Sequence, residues 1–258
     1  MSAVRRFVWI ELMTNDPAGA RKFYSSLVGW STTPMEGGGY EMWSRDGKMQ
    51  GGLMQLPPEL AQRGVPVHWL GYVGVENVDQ AAEKARRLGG SVRHEPTDIP
   101  GMGRFAVLAD PQGAVFGVFH GNQGMDALSQ RDLGGLGWAE LNTTDWKSAW
   151  KFYAELVGWE KAMSMDMGPE YGEYFMFGPN ADPDSMIGGM SDAVKGKEMP
   201  PHWLYYVNVK DVDEAAKQIP ALGGKVITPP MEVPGGSRVV NGQDPQGGYF
   251  ALVSGGMK

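Results

Sequence analysis

The chain of 258 residues contains no cysteine, which excludes disulfides, thiolate nucleophiles and Cys-ligated metals, and it is long enough to bury one or two cores without covalent staples. Hydrophobic residues make up 42% and charged residues 21%, as in an ordinary globular protein, and the net charge of −7 with no run of Lys or Arg argues against a nucleic-acid partner. No apolar stretch is long enough to span a bilayer and the N-terminus lacks the apolar core of a signal peptide, so no membrane partner is expected and the expected location is the cytoplasm.

Taken in chain order, Val8 to Met13 alternates and is rich in strand formers. Asn15-Asp16-Pro17 then supplies an N-cap and a first-turn proline, and Ala18 to Leu27 reads as a helix ended by Val28-Gly29-Trp30. Strand-like runs follow near Tyr40–Trp43 and Met49–Met54, separated by the turn residues Arg45-Asp46-Gly47. The next half repeats the scheme: a strand over His68–Val75, a helix from Val78 to Leu88, and strands near Ser91–His94, Arg104–Ala109 and Ala114–Phe119, the last two joined by Asp110-Pro111-Gln112-Gly113. The glycine-rich segments 101–104 and 235–238 read as loops over a pocket mouth.

The whole pattern then recurs. Residues 7–30 return at 136–159 with 13 of 24 positions identical. The Pro-x-His-Trp segment at 66–69 and the Asp-Pro-Gln-Gly turn return 134 residues later, so the second copy carries five extra residues, expected between Met163 and Met186. A period of this size is a domain and not a solenoid unit. The predicted organisation is a first module over 1–122, a polar linker over 123–135 and a second module over 136–258.

Four β-α-β-β-β units, the Asp-Pro helix start, Phe23-Tyr24 inside the helix, the Leu-Val-Gly-Trp exit and the Asp-Pro-Gln-Gly turn together resemble the vicinal oxygen chelate superfamily, which includes glyoxalases, bleomycin resistance proteins and extradiol dioxygenases. The likeness is to a two-module, bacterial, glyoxalase-like subgroup. It implies an α+β fold of two tandem modules, each a curved eight-stranded mixed sheet with helices on the convex side and a pocket on the concave one. In metal-binding relatives three of the four usual ligands would fall at Trp9, Leu70 and Gly117, and at Trp138, Leu204 and Ala251 in the second copy, the fourth belonging to the third or fourth strand. None of these side chains offers a metal the N or O donors it needs, so no cofactor is expected and a divalent metal is disfavoured.

Side chains two apart on a strand share a face. Glu11 and Met13 therefore accompany Trp9, Glu140 and Asn142 accompany Trp138, and His68 with Tyr72, or His202 with Tyr206, flank the third position. Two readings of the repeated Glu and His stand side by side. They are acid–base groups in an aromatic cleft, or they are structural, the His closing a backbone hydrogen bond and the Glu pairing with Arg104 or Arg238. His94 and His120 have no histidine counterpart in the second copy. The expected function is the binding of a small, mostly apolar or aromatic molecule without the classical metal. The alternatives are a lyase, isomerase or hydrolase using Glu11, His68, Glu140 and His202, or a metal enzyme with unusual ligands. The chain is expected as a monomer with its modules paired, or as a homodimer.

Overall fold

The structure is a computed structural model and describes residues 3–35, 37–122, 126–169 and 172–255. The first copy forms β1 (Phe7–Thr14), α1 (Pro17–Val28), β2 (Ser31–Pro34), β3 (Tyr40–Arg45), β4 (Lys48–Gln55), α2 (Pro58–Gln62), β5 (His68–Gly74), α3 (Val78–Arg87), β6 (Ser91–Ile99), β7 (Gly103–Ala109) and β8 (Val115–Gly121). The second forms β9 (Leu136–Asn142), α4 (Trp146–Val157), β10 (Glu160–Asp166), β11 (Glu173–Gly178), β12 (Gly188–Ser191), β13 (His202–Asn208), α5 (Val212–Ala221), β14 (Lys225–Glu232), β15 (Arg238–Gln243) and β16 (Tyr249–Ser254). Each copy is one mixed eight-stranded sheet, ordered β2-β3-β4-β1-β5-β8-β7-β6 and β10-β11-β12-β9-β13-β16-β15-β14.

The four long helices start where their caps dictate. Asp16 accepts from Gly19 N at 3.0 Å and Asn77 from Gln80 N at 2.9 Å, while Asp145 and Asp211 each accept from two first-turn amides. Helices α1 and α4 end at Gly29 and Gly158, whose φ of 73° and 83° is the left-handed C-cap conformation that glycine adopts without strain. Strand β2, needed for the expected eight, and helix α2 have no sequence pattern that locates them: they are four and five residues long, largely exposed, and too short to show a period. Segments 101–104 and 235–238 are not loops throughout, because Gly103 and Arg104 already belong to β7 and Arg238 opens β15, and only the turns before them bend.

The copies keep matched residues in matched elements: Trp9 and Trp138 are third in β1 and β9 counted from Phe7 and Leu136, His68 and His202 open β5 and β13, and Asp110 and Asp244 follow β7 and β15. The extra length enters at β10, seven residues against four in β2, and in the β11–β12 connection, which holds a short 3-10 turn at Pro183–Ser185.

The chain packs as two compact units, and each draws on both copies: one holds Met1–Trp9, Gly71–Leu128 and Trp138–Trp203, the other Ile10–Leu70, Ser129–Gly137 and Leu204–Lys258. In the first unit Tyr153 of α4 donates to Asp110 Oδ2 at 3.1 Å and accepts from Trp203 Nε1 at 3.1 Å. The second unit repeats this with Tyr24, Asp244 and Trp69, at 2.9 and 3.0 Å. Each aspartate is 3% exposed and also takes two backbone amides of its own turn, Gln112 and Ala114 or Gln246 and Gly248. Burial pushes both carboxyls above the usual range, and pushes the Tyr24 phenol up as well. Aromatic rings surround each lock: Tyr153 stacks on Trp159 at 5.6 Å and Trp159 on Phe177 at 4.4 Å, while Tyr24 meets Trp69 edge-on at 5.2 Å and Phe250 at 5.7 Å. The repeated Phe-Tyr, Gly-Trp, His-Trp and Asp-Pro-Gln-Gly motifs thus meet in the core.

The segment expected as a linker lies over 123–135, of which 123–125 fall outside the described residues. The rest is held down: Asn208 Nδ2 donates to Gln130 O and Asp132 O at 2.9 and 3.1 Å, and Trp30 Nε1 donates to Gly134 O at 2.9 Å.

Candidate functional site

Alternation sorts the strands into two faces. On β9, Ala139 and Leu141 are fully buried, whereas Trp138 and Glu140 on the other face are half-buried. Glu140 is in register with Gly189 of β12. A Cβ at Gly189 would lie 2.5 Å from the Tyr174 hydroxyl, so the missing side chain is what lets the Tyr174 ring cross β12 toward Glu140. There Trp138 Nε1 donates to Tyr174 Oη at 2.9 Å and Tyr174 Oη donates to Glu140 Oε2 at 2.9 Å. The phenol gives its one proton to the carboxylate and receives the indole N–H, which fixes the orientation of all three groups. A carboxylate has lone pairs for further donors, so this face can present an acceptor beside a flat indole.

The first copy repeats the layout. Glu11 is in register with Gly52, and the space a Cβ would take there is filled by the Tyr40 phenol. Glu11 is 6% exposed, more deeply placed than its counterpart. Met13 is in register with Met54, while the matching pair in the second copy is Asn142 and Ser191. Tyr174 is the partner that sequence reasoning missed for Glu140, and Tyr40 is the ring that takes the matching place over Gly52. Their signal was the glycine pair inside a strand, Gly51-Gly52 and Gly188-Gly189, which marks a close approach from a neighbouring group.

The histidines are tied locally. His68 Nδ1 lies 2.7 Å from Pro66 O and His202 Nδ1 2.9 Å from Pro200 O. A carbonyl only accepts, so Nδ1 carries the proton and, in the neutral ring, Nε2 is the acceptor. Burial lowers the pKa of His68, which keeps that ring neutral at pH 7. The expected Glu–Arg pairing gives way to other partners: Arg104 bridges Asp79 at 2.8 Å and Asp98 at 2.9 Å, and Arg238 takes Asp213 at 2.8 Å. These aspartates sit in the first turns of α3 and α5, or at the end of β6, where the arginine fork reaches them.

At the remaining positions, Tyr72 lies across Gly117, its register neighbour, and meets Phe105 edge-on at 6.2 Å, while His94 stacks on Phe105 at 4.9 Å. Tyr206 is in register with Ala251. Leu70 and Leu204 are buried. Among the described residues, no three of His, Asp and Glu are grouped so as to hold a metal ion. Among them, too, no helix is long and apolar enough to cross a membrane.

The sheet order and the duplicated face identify the class, and comparison with known proteins agrees. Residues 135–252 match the Glyoxalase/Bleomycin resistance protein/Dioxygenase superfamily and residues 9–119 match the Glyoxalase-like domain. The chain belongs to this superfamily, with two modules. It is 34% identical over 251 residues to the "Putative glyoxylase CFP32" of Mycobacterium tuberculosis, covering 95% of this chain and 93% of that protein. It is 30% identical over 258 residues to the anthracycline biosynthesis protein DauV of Streptomyces sp. (strain C5), covering 95% and 91%. Among solved structures, the Mn(II)-bound glyoxalase from Novosphingobium aromaticivorans aligns over 98% of this chain and 83% of that one with a TM-score of 0.67 at 14% identity. The 2,2',3-trihydroxybiphenyl 1,2-dioxygenase of Sphingomonas wittichii aligns over 98% and 91%, also with a TM-score of 0.67, at 16% identity. Those two likenesses concern the fold.

Proposed function

We propose that the protein binds a small, largely aromatic molecule on the sheet face of its second copy, without a metal at the inherited ligand positions. The observation that carries this reading is the Trp138–Tyr174–Glu140 chain, an ordered apolar surface with an oriented carboxylate at its edge. Binding sites combine apolar area with a few fixed polar groups in this way. The side chains at Trp138, Leu204 and Ala251 do not fit a divalent ion, which needs several N or O donors in one place. A 30% identical relative carries an anthracycline biosynthesis name, and anthracyclines are fused-ring aromatics, which is compatible with a flat ligand.

Titration of 1-naphthol, a flat ring with one hydroxyl donor, followed by protein fluorescence tests the reading. Glu140→Gln and Trp138→Phe are each expected to weaken binding about fivefold or more while changing stability by under about 1 kcal/mol, because both residues are half-buried. Unchanged affinity in both variants would remove this face from the site.

A second reading has its own support. With Nδ1 held by Pro66, a neutral His68 ring would offer Nε2 as the acceptor that a general base needs.

A further inference from the structure

Resting on the binding reading above, we propose that the face of β13, β15 and β16 carries a ligand site in which Asn241 accepts a hydrogen bond from a ligand O–H or N–H. Its counterpart in the first copy is closed by aromatic rings. The comparison is internal to the chain. Asn241 and Tyr206 are both in register with Ala251, and Val239 is in register with Val253. The alternate residues Val240 and Leu252 are fully buried on the opposite face. At the matching positions of the first copy stand Val107, Phe105 and Phe119, with Tyr72 laid across Gly117 and His94 stacked on Phe105 at 4.9 Å. Rings therefore fill that face. In the second copy both phenylalanines are valines, His94 is replaced by Thr228, and the one polar gain is the amide of Asn241.

That amide is unusual in its bonding. Asn241 Oδ1 is buried and has no hydrogen-bond partner, whereas native proteins pair nearly all such atoms. An unpaired buried acceptor costs stability, so its presence where neighbouring side chains have shrunk points to a partner that arrives from outside. A flat phenol or aromatic amide satisfies both features: a ring for the valine-lined surface and a donor for Oδ1.

The test compares 1-naphthol with 1-methoxynaphthalene, which has the same ring and no donor, on the intact chain and on Asn241→Val, the side chain the first copy carries. The wild type is expected to favour the naphthol by about five- to tenfold, the worth of one neutral hydrogen bond. Asn241→Val is expected to lose most of that preference and to melt about 2–4 °C higher, since it removes an unsatisfied polar atom, whereas Glu140→Gln, which frees the Tyr174 and Trp138 rings, is expected to weaken both probes alike and keep the preference. Equal binding of the two probes by the wild type, a preference that survives in Asn241→Val, or a lower melting temperature for the variant would each overturn the proposal. If the preference survives in Asn241→Val but disappears in Glu140→Gln, only this inference fails. If neither probe binds, the binding reading fails with it.

Discussion

Asp110→Ala is expected to destabilise the protein by about 3 kcal/mol or more, measured as a fall in urea midpoint at constant m-value. Alanine would remove the acceptor of two buried donors, the Tyr153 hydroxyl and the Ala114 amide, and of the part-buried Gln112 amide. Each buried donor left without a partner costs roughly 1–3 kcal/mol, tempered where water can enter. Asp110→Asn keeps the shape and an acceptor oxygen, and should cost about 1 kcal/mol. Asp244→Ala should behave alike, because its lock with Tyr24 is the duplicate. Since burial raises both carboxyl pKa values, the native state takes up these protons at higher pH than the unfolded chain does. Their contribution is then largest at acid pH and falls as pH rises through the folded-state value, so acid unfolding must originate elsewhere. A loss under about 1 kcal/mol for Asp110→Ala would show that the lock adds little.

Gly188→Ala is expected to cost about 2–4 kcal/mol and to weaken 1-naphthol binding together with stability. Its Cβ would press on the Ala139 carbonyl of the paired strand and lie 2.8 Å from Phe177 Cζ in the core. A backbone atom cannot rotate aside, so β9 and β12 would have to separate, and Glu140 and Gly189 are the next pair along. The neighbouring Gly189→Ala meets the far end of Tyr174 instead, which can swing away. That variant should fold near normally and lose binding alone. Thermal melts beside the naphthol titration separate the two, and equal stability of the pair would contradict the assignment of faces.

Much of the fold was legible. Strand β1 is rich in strand formers, α1 and α4 carry their own caps and glycine stops, and the duplication marked which elements must match. What escaped was contact between distant segments. The Tyr24 and Asp244 pair is 220 residues apart, and no spacing rule connects them, so repeated core motifs could be mistaken for site motifs. The repeated Glu was recognised, but its tyrosine partner was hidden because the link runs over a glycine on an intervening strand. Pairing of the repeated Glu with Arg104 or Arg238 was one of two readings, resting on repetition alone, yet Asp79, in the first turn of α3, is the carboxylate within reach of the Arg104 fork. Asn241 gave no signal at all: duplication highlights what agrees, and this residue matters because its counterpart is Val107.

The central claim is that aromatic-ligand binding proceeds without metal at the inherited positions. Elemental analysis of protein purified without chelator, combined with 1-naphthol titration before and after dialysis against EDTA, tests it most directly. Substoichiometric manganese, iron, zinc and nickel and an unchanged dissociation constant after dialysis are expected. A stoichiometric metal whose removal abolishes binding, and whose return restores it, would contradict the account.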